Sequence, residues 1–210
     1  MGFAKFFHGL RKKEPQPDDL YGTGVWRQHR DRFNRAVDRF FVTASRLHEE
    51  VHAGAGGAGK GAGTGSGSAG AETNDAHVAA AEQLAALTHA LNQVAQQVDD
   101  CARTLHTHVP VNEQTIPAQV RTQVGTLPEL MSRAATKVAE AAQAAAMVRA
   151  QVRTTSGGVT ENSVTDENSE AGPAEVAGVS AAHTYVDDAV RLVEECHRMA
   201  ERIASSDSSK

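Results

Sequence analysis

The chain has 210 residues, a formal net charge of -5 and an aromatic content of only 4%. So few aromatic side chains disfavour a large globular core and favour a narrow one, and the acidic balance argues against a nucleic-acid-binding protein. The sequence has no stretch of about 18 consecutive apolar residues, so no transmembrane helix is predicted. Its two cysteines do not make a disulfide framework.

The first 13 residues combine apolar and basic side chains at helical spacing. Such an amphipathic helix can lie in a bilayer interface, with phenylalanines at the acyl boundary and cationic groups near anionic headgroups. The alternative is a terminal segment that docks on the protein's own helices or stays disordered. No cleavable signal peptide is indicated, because the apolar residues precede the basic ones. The candidate membrane-contact residues are Phe3, Lys5, Phe6, Phe7, Leu10, Arg11, Lys12 and Lys13.

Residues 14–23 contain two prolines and are predicted to be a linker, and helix one is predicted over residues 24–52. The apolar residues of this helix recur in steps that place them on one line along it, here called a seam. Arg30 is the only break in the seam. The charged faces are interpreted as solvated, with intrahelical pairs such as Asp31 with Arg35. The alternative for the basic first half of the helix is a nucleic-acid or lipid face. The seam residues are Trp26, Phe33, Val37, Phe40, Ala44, Leu47 and Val51.

Residues 53–72 are rich in glycine and are predicted to be a flexible linker. The longest predicted helix follows, over residues 75–109, and Pro110 ends it. Its seam spans several heptads, so this helix needs partner helices from its own chain or from a second copy. Its polar residues, Asp99 among them, are interpreted as solvent-exposed. The seam residues are His77, Ala80, Leu84, Leu87, Leu91, Val94, Val98, Cys101, Leu105 and His108.

Residues 73–153 together are predicted to be a helical hairpin region with a short helix between its two arms. The short helix is predicted over residues 118–124, because Pro117 suits a helix start. Helix three is predicted over residues 127–153, and the alanines in its seam would let a partner helix approach closely. Its seam residues are Leu127, Met131, Ala134, Val138, Ala141, Ala145, Val148 and Val152.

Residues 154–178 are polar and acidic and are predicted to be a disordered linker. Helix four is predicted over residues 179–205, followed by a frayed tail at residues 206–210. Cys101 and Cys196 both occupy seam positions and are interpreted as buried, reduced thiols, since free cysteine packs well in a core. The seam residues of helix four are Ala182, Val186, Ala189, Val193, Cys196, Ala200 and Ile203.

Residues 48–52 spell H-E-x-x-H on a predicted helix. Histidines four residues apart share a helix face and can bind one zinc ion, with Glu49 as the general base for a metal-bound water. A catalytic zinc needs a third protein ligand, however, and the glycine-rich linker that follows supplies none. His48 and His52 also flank the seam instead of lining a cleft. We therefore interpret them as surface histidines, with metal binding as the alternative.

The sequence predicts an all-α protein, either an elongated four-helix bundle or a coiled-coil-like helical protein with disordered linkers. A dimer that shares helices is the alternative to packing within one chain. No nucleophile, base and orienting group can be assembled, so no catalytic site and no cofactor are predicted. The motifs indicate no known family.

The function that best fits these features is non-catalytic interaction or scaffolding in the cytoplasm, with residues 1–13 able to reach the inner face of the membrane. The expected partners are another protein or a second copy, bound through the helix seams, and an anionic membrane surface; no nucleic acid is expected. Two alternatives stay open. One is a zinc-dependent hydrolase that uses the H-E-x-x-H residues. The other is a helical protein exported without a cleaved signal peptide, in which Cys101 and Cys196 could form a bond.

Overall fold

A computed structural model describes residues 16–57, 67–156 and 178–207 of the chain. Six helices account for most of these residues, and no strand occurs among them. In chain order the helices are α1 (Pro17–Tyr21), α2 (Val25–Gly57), α3 (Gly67–His108), α4 (Ala118–Val124), α5 (Leu127–Ser156) and α6 (Val179–Asp207). The all-α prediction is confirmed. None of the described helices is both long and apolar enough to cross a membrane.

Each of the four long helices packs against two of the others. Helix α2 lies between α3 and α5, and α6 packs against the same two helices on the opposite side. Helices α3 and α5 make few contacts with each other and therefore lie on a diagonal. The short helices are peripheral, with α1 against α3 and α4 against α6.

Helices α2 and α5 run in the same direction. Near their beginnings, Arg32 of α2 donates a hydrogen bond to Ser132 of α5 over 3.3 Å. Near their ends, the guanidinium of Arg149 binds both carboxylate oxygens of Glu50, at 2.5 and 3.0 Å. In both contacts the two residues are at similar distances from the beginnings of their helices, so the two helices are parallel.

Helices that follow each other in the chain are antiparallel. The indole of Trp26 at the start of α2 donates to the carbonyl oxygen of Val109, just after the end of α3. Likewise Lys137, early in α5, lies 3.5 Å from the carboxylate of Asp188 in α6. Gly178, just before α6, packs against Val148 near the end of α5. Residues 58–66 and 157–177 therefore join helix ends at the same end of the molecule, and α1 and α4 lie at the other end.

The four seams form one apolar core. All of the seam residues named from the sequence are buried except His108, which is half-buried, and His77 is the one polar residue with a buried side chain among the described residues. Trp26, Phe33 and Phe40 supply the largest fully buried side chains from α2. Helix α5 contributes mainly alanines and valines, and these small residues let its two neighbours pack closely.

Residues 17–21 form a helix in a segment that the sequence analysis interpreted as a linker. Pro17 occupies the first turn, where its missing N–H is no loss, and the Asp19 carboxylate accepts a hydrogen bond from the Gln16 backbone N–H at 3.2 Å. Tyr21 is buried. Gly22 follows with a φ of 68°, and a Cβ at this position would meet the ring of His106. Pro17 begins this helix in the same way that Pro117 was predicted to begin the short helix further along the chain.

Two of the long helices extend into the glycine-rich region. Helix α2 continues to Gly57 and α3 begins at Gly67, whereas the linker was predicted over residues 53–72. Extending an existing helix by one residue costs far less than starting a new one, so alanines between the glycines are enough to carry it on. Residues 58–66, most of the predicted acidic linker at 154–178, and the end of the predicted tail lie outside the described residues.

Candidate functional site

The H-E-x-x-H residues lie on the solvent side of α2, near its C-terminal end. His48, Glu49 and His52 are exposed. The two imidazole rings contact each other with centroids 4.0 Å apart, and Nδ1 of His52 lies 2.8 Å from the carbonyl oxygen of His48. Glu50 belongs to the ion pair with Arg149. Its hydrogen bond from Arg149, and then the positive charge of that guanidinium, hold the pKa of the Glu50 carboxyl below its ordinary value.

A third zinc ligand is missing from this region as far as the structure describes it. Within residues 16–53, 72–155 and 178–206, no group of three or more His, Cys, Asp or Glu side chains is arranged to hold a metal ion. Two exposed histidines whose rings contact each other at a tilt, without a third ligand, do not form the closed or three-ligand site that zinc requires. The geometry therefore gives no support to the hydrolase alternative.

The two cysteines face each other across the α3–α6 contact. The Sγ atom of Cys101 lies 3.8 Å from the carbonyl oxygen of Cys196, and both thiols are free and buried. Burial raises the pKa of both thiols to about 12. A thiol with such a pKa is almost entirely protonated at neutral pH, so neither cysteine is an activated nucleophile.

A cluster of charged residues joins α1, α2 and α3. Asp99 of α3 accepts hydrogen bonds from Arg30 at 2.8 and 3.3 Å and from the side-chain amide of Asn34 at 3.3 Å. The guanidinium of Arg30 also stacks over the ring of Tyr21, 4.3 Å from its centroid. The interpretation of Asp99 as a solvent residue was therefore wrong. Because the partners of this carboxylate come from the chain itself, the cluster holds helices together and offers no ligand site.

The intrahelical pair expected on α2 also differs from the observed one. The carboxylate of Asp31 pairs with Arg30 at 2.9 Å and with Arg27 at 3.5 Å. Arg35 instead donates from Nε to the backbone oxygen of Asp31 at 3.0 Å. The guanidinium of Arg35 is thus left without a carboxylate partner among the described residues.

Three large apolar side chains are exposed among the described residues: Phe41 and Val42 on the outer face of α2, and Met147 of α5. Phe41 and Val42 keep 52% and 44% of their accessible area, although both are large apolar side chains. Phe41 lines a shallow groove between α2 and α3, with Ala85 and Thr88 on its far side. Val42 lines a second groove, between α2 and α5. Adjacent exposed apolar residues of this kind mark surfaces that contact other molecules more often than scattered ones do.

The second groove, here called the α2/α5 groove, has a volume of about 440 Å³. Its floor and one wall are small side chains of α5, and its other wall is α2. Exposed and half-buried atoms of both helices line it along several turns. The lining residues are Asp38, Arg39, Val42, Thr43, Ala139, Ala142, Gln143 and Ala146.

Four arginines of α2 follow the edge of this groove. Successive members of this set are three, four and seven residues apart along the chain, which places all four on one side of the helix. All four are exposed. None of them forms an ion pair with a carboxylate in the part of the chain that the structure describes. This set, called the arginine row, consists of Arg32, Arg35, Arg39 and Arg46.

Sequence reasoning did not identify the groove, and it interpreted the basic face that holds Arg32 and Arg35 as solvated, with a nucleic-acid or lipid face as the alternative. A signal was present, because Phe41 and Val42 lie off the seam of a helix whose other outer residues are mostly charged. Which helix forms the opposite wall could not be read from the pattern. The membrane-contact candidates at residues 3–13 lie outside the described residues.

Comparisons of the chain with protein-family models, with curated proteins and with solved structures find no match. The surface of α2 is therefore interpreted from its own residues.

Proposed function

We propose that the chain is a non-catalytic interaction or scaffold protein, built as an elongated four-helix bundle that presents the outer face of α2 to a protein partner. The observation that carries this proposal is the exposure of Val42 beside a groove floored by alanines, together with the exposure of Phe41 at the neighbouring groove between α2 and α3. Leaving two large apolar side chains in water lowers solubility and adds nothing to folding, and a partner that covers them recovers the free energy of burial.

A photo-crosslinking experiment tests this proposal in the cells that make the protein. A photoreactive amino acid replaces Val42 in the full chain, and a matched control carries it at Arg191, an exposed position on α6. We expect a specific protein adduct from position 42 and none from position 191. Equal adducts at both positions, or none at either, would contradict a partner surface on α2.

Membrane association through residues 1–13 is a separate part of the proposal and is supported by the amphipathic, basic pattern of that segment. The described chain begins at Gln16, beside α1 and at the end of the molecule that also holds α4. Flotation with vesicles that contain anionic lipid compares the full chain with a chain that lacks residues 1–13. If only the full chain floats, and salt weakens its binding, the segment binds anionic lipid, as contact with the inner face of the membrane requires. If neither floats, this part of the proposal is wrong.

Zinc-dependent hydrolysis stays the alternative function. His48 and Glu49 line the groove between α2 and α3, but no third ligand lies with them among the described residues. It requires one bound zinc per chain, held by His48, His52 and a third ligand. Metal analysis of the purified protein after supplying zinc tests whether one zinc is bound per chain. We expect less than one zinc per chain and no loss of folding with a chelator. Stoichiometric zinc that disappears in His48→Ala would instead show the metal site that the alternative requires.

A further inference from the structure

We propose that the α2/α5 groove binds an acidic amphipathic helix of a partner protein. This inference rests on the proposed function and adds the chemistry of the partner. It follows from three properties of the groove: its floor of alanines, the exposed Val42 on its α2 wall, and the four arginines along its edge that form no ion pair among the described residues.

The floor of the groove leaves room for large apolar side chains. Ala139, Ala142 and Ala146 lie on successive turns of α5 and face the groove, with Val42 on the opposite wall. Because alanine ends at Cβ, the space above each of these residues is open to side chains of another molecule. A helix that lies along the groove can place an apolar side chain there on each turn, which is how amphipathic helices bind apolar grooves.

The arginine row determines the charge of that helix. Arg32 and Arg46 are separated by about 21 Å along α2, the length of roughly four helical turns. Guanidinium groups bind carboxylates with two parallel hydrogen bonds, so glutamates beside the apolar side chains of a partner helix can pair with the row. Each exposed pair is weak, but several pairs together select an acidic partner and orient it.

Other occupants fit the groove less well. The chain's own residues 1–13 carry the same sign of charge as the arginine row. A polyanion with a charge at every unit, such as a nucleic acid, would place phosphates next to the carboxylate of Asp38 in the groove. A helix avoids this repulsion, because it can place an uncharged side chain at that position and acidic ones on either side.

The binding experiment uses the full chain and a synthetic peptide. The probe is a fluorescein-labelled helical peptide of about 18 residues, with leucine at every third or fourth position and glutamate on the flanking positions. A control peptide has lysine in place of each glutamate. Fluorescence anisotropy measures both, in low and in physiological salt. We expect the glutamate peptide to bind, the lysine peptide not to bind, and added salt to weaken the binding.

Two variants locate the binding. The triple variant Arg35→Gln, Arg39→Gln and Arg46→Gln removes three charges from the row, and the matched control removes three exposed arginines from other faces: Arg133→Gln, Arg191→Gln and Arg198→Gln. We expect the groove variant to weaken peptide binding roughly tenfold or more, as for the loss of several exposed pairs, and the control to leave it nearly unchanged. Ala146→Glu, at the groove, is expected to weaken it as well, whereas Ala181→Glu on α6 is not. Circular dichroism confirms that all variants keep their helices.

Several results would overturn the proposal. Equal binding of the two peptides shows that the groove does not select acidic partners, and equal loss in both triple variants shows that only the total charge matters.

If phosphatidylserine vesicles bind the chain and lose binding in the groove variant while the peptide is unaffected, the row contacts lipid instead. If the peptide binds only after the acidic residues of segment 157–177 are neutralised, the chain's own segment is the occupant. A crosslink at position 42 that persists in any of these cases leaves the proposed function standing and removes only the acidic partner.

Discussion

At the scale of single residues, the charged groups that form the closest contacts pair between helices. Asp99 accepts hydrogen bonds from Arg30 and Asn34 on another helix, and Glu50 binds Arg149 of α5 with both carboxylate oxygens. Each of these contacts fixes the axial position of one helix relative to its neighbour. The arginine row of α2 lacks such partners, and this difference distinguishes it from the paired arginines of the same helix.

Glu50→Gln tests the contribution of the pair between α2 and α5. At pH 7 we expect the free energy of unfolding to fall by about 0.5–1 kcal/mol, a value that allows for partial exposure of the pair to solvent. Arg149 holds the pKa of the Glu50 carboxyl below its ordinary value. The stabilisation is therefore fully present above the unfolded-state pKa and is lost as the pH falls through the lowered folded-state pKa.

Urea unfolding at pH 7 and in acid measures this effect, with Glu49→Gln as the control because Glu49 is exposed one residue away. The difference between wild type and Glu50→Gln should shrink in acid, where both carry an uncharged side chain. Equal stability of the Glu49 and Glu50 variants at pH 7 would mean that the pair contributes nothing.

The thiols of Cys101 and Cys196 provide a second test at this scale. Burial raises the pKa of both to about 12, so reaction with Ellman's reagent at neutral pH should be very slow in the folded protein. In concentrated urea both thiols of the chain should react quickly. Rapid reaction under native conditions would show that the α3–α6 contact opens. The absence of both thiols in urea, with their return after reduction, would show that the two cysteines are oxidised to a disulfide.

At the scale of the helix, each long helix divides into a buried seam and a face whose properties vary along its length. Leu91 on the seam of α3 is fully buried, whereas Val42 of α2 is 44% exposed. Burial of an apolar side chain stabilises the fold in proportion to the area removed from water. The seam residues should therefore control stability, and the outer residues of α2 should control binding.

Leu91→Ala and Val42→Ala separate these two roles. We expect Leu91→Ala to lower the free energy of unfolding by about 2–5 kcal/mol, since it leaves a cavity in the core. Val42→Ala should change it by less than about 0.5 kcal/mol, as is usual for exposed residues. Denaturant unfolding measures both. A large loss of stability in Val42→Ala would place this residue in the core and remove it as a contact for a partner.

At the scale of the whole molecule, α2 and α5 are parallel, and the connection from α3 to α5 crosses a diagonal. Residues 109–126 make this crossing at the end that holds α1 and α4. Val124 of α4 and Val111 are buried, so the crossing segment covers that end of the core. The exposed groove between α2 and α5 exists because these two helices are neighbours.

Distances between nitroxide labels test this arrangement. Labels at Gln28 and Arg133 lie near the same end of the parallel pair, whereas labels at Gln28 and Arg153 should be separated by about 40 Å along the helices. Both pairs are placed in a chain with Cys101→Ala and Cys196→Ala and measured by pulsed electron resonance. A short distance from Gln28 to Arg153 would show that α5 runs antiparallel to α2. Dilution with unlabelled chain should leave both distances unchanged; if it abolishes them, helices are shared between two copies.

The spacing of apolar residues along the chain was sufficient to identify the all-α fold and the central line of each long helix in the core, because helical burial depends on positions three and four apart within one segment. Buried residues beside those lines, such as Ala36 and Leu130, were not predicted. It was also sufficient to find the H-E-x-x-H residues and to place them beside the seam of α2. The pairing of Asp99 with Arg30 and the position of Arg39 beside α5 could not be predicted, since each depends on which helix lies opposite. The spacing of apolar residues within one helix carries no information about which helix packs against it.

What the sequence alone determined, therefore, is which side of each helix faces inward, since this is a local property of spacing and side-chain polarity. Only the tertiary structure decided which helices are neighbours and in which direction they run. That choice depends on contacts summed over whole helices and on the ends joined at residues 109–126. It places Ala139, Ala142 and Ala146 beside the arginine row, and so makes a surface from residues that are unremarkable within their own helices.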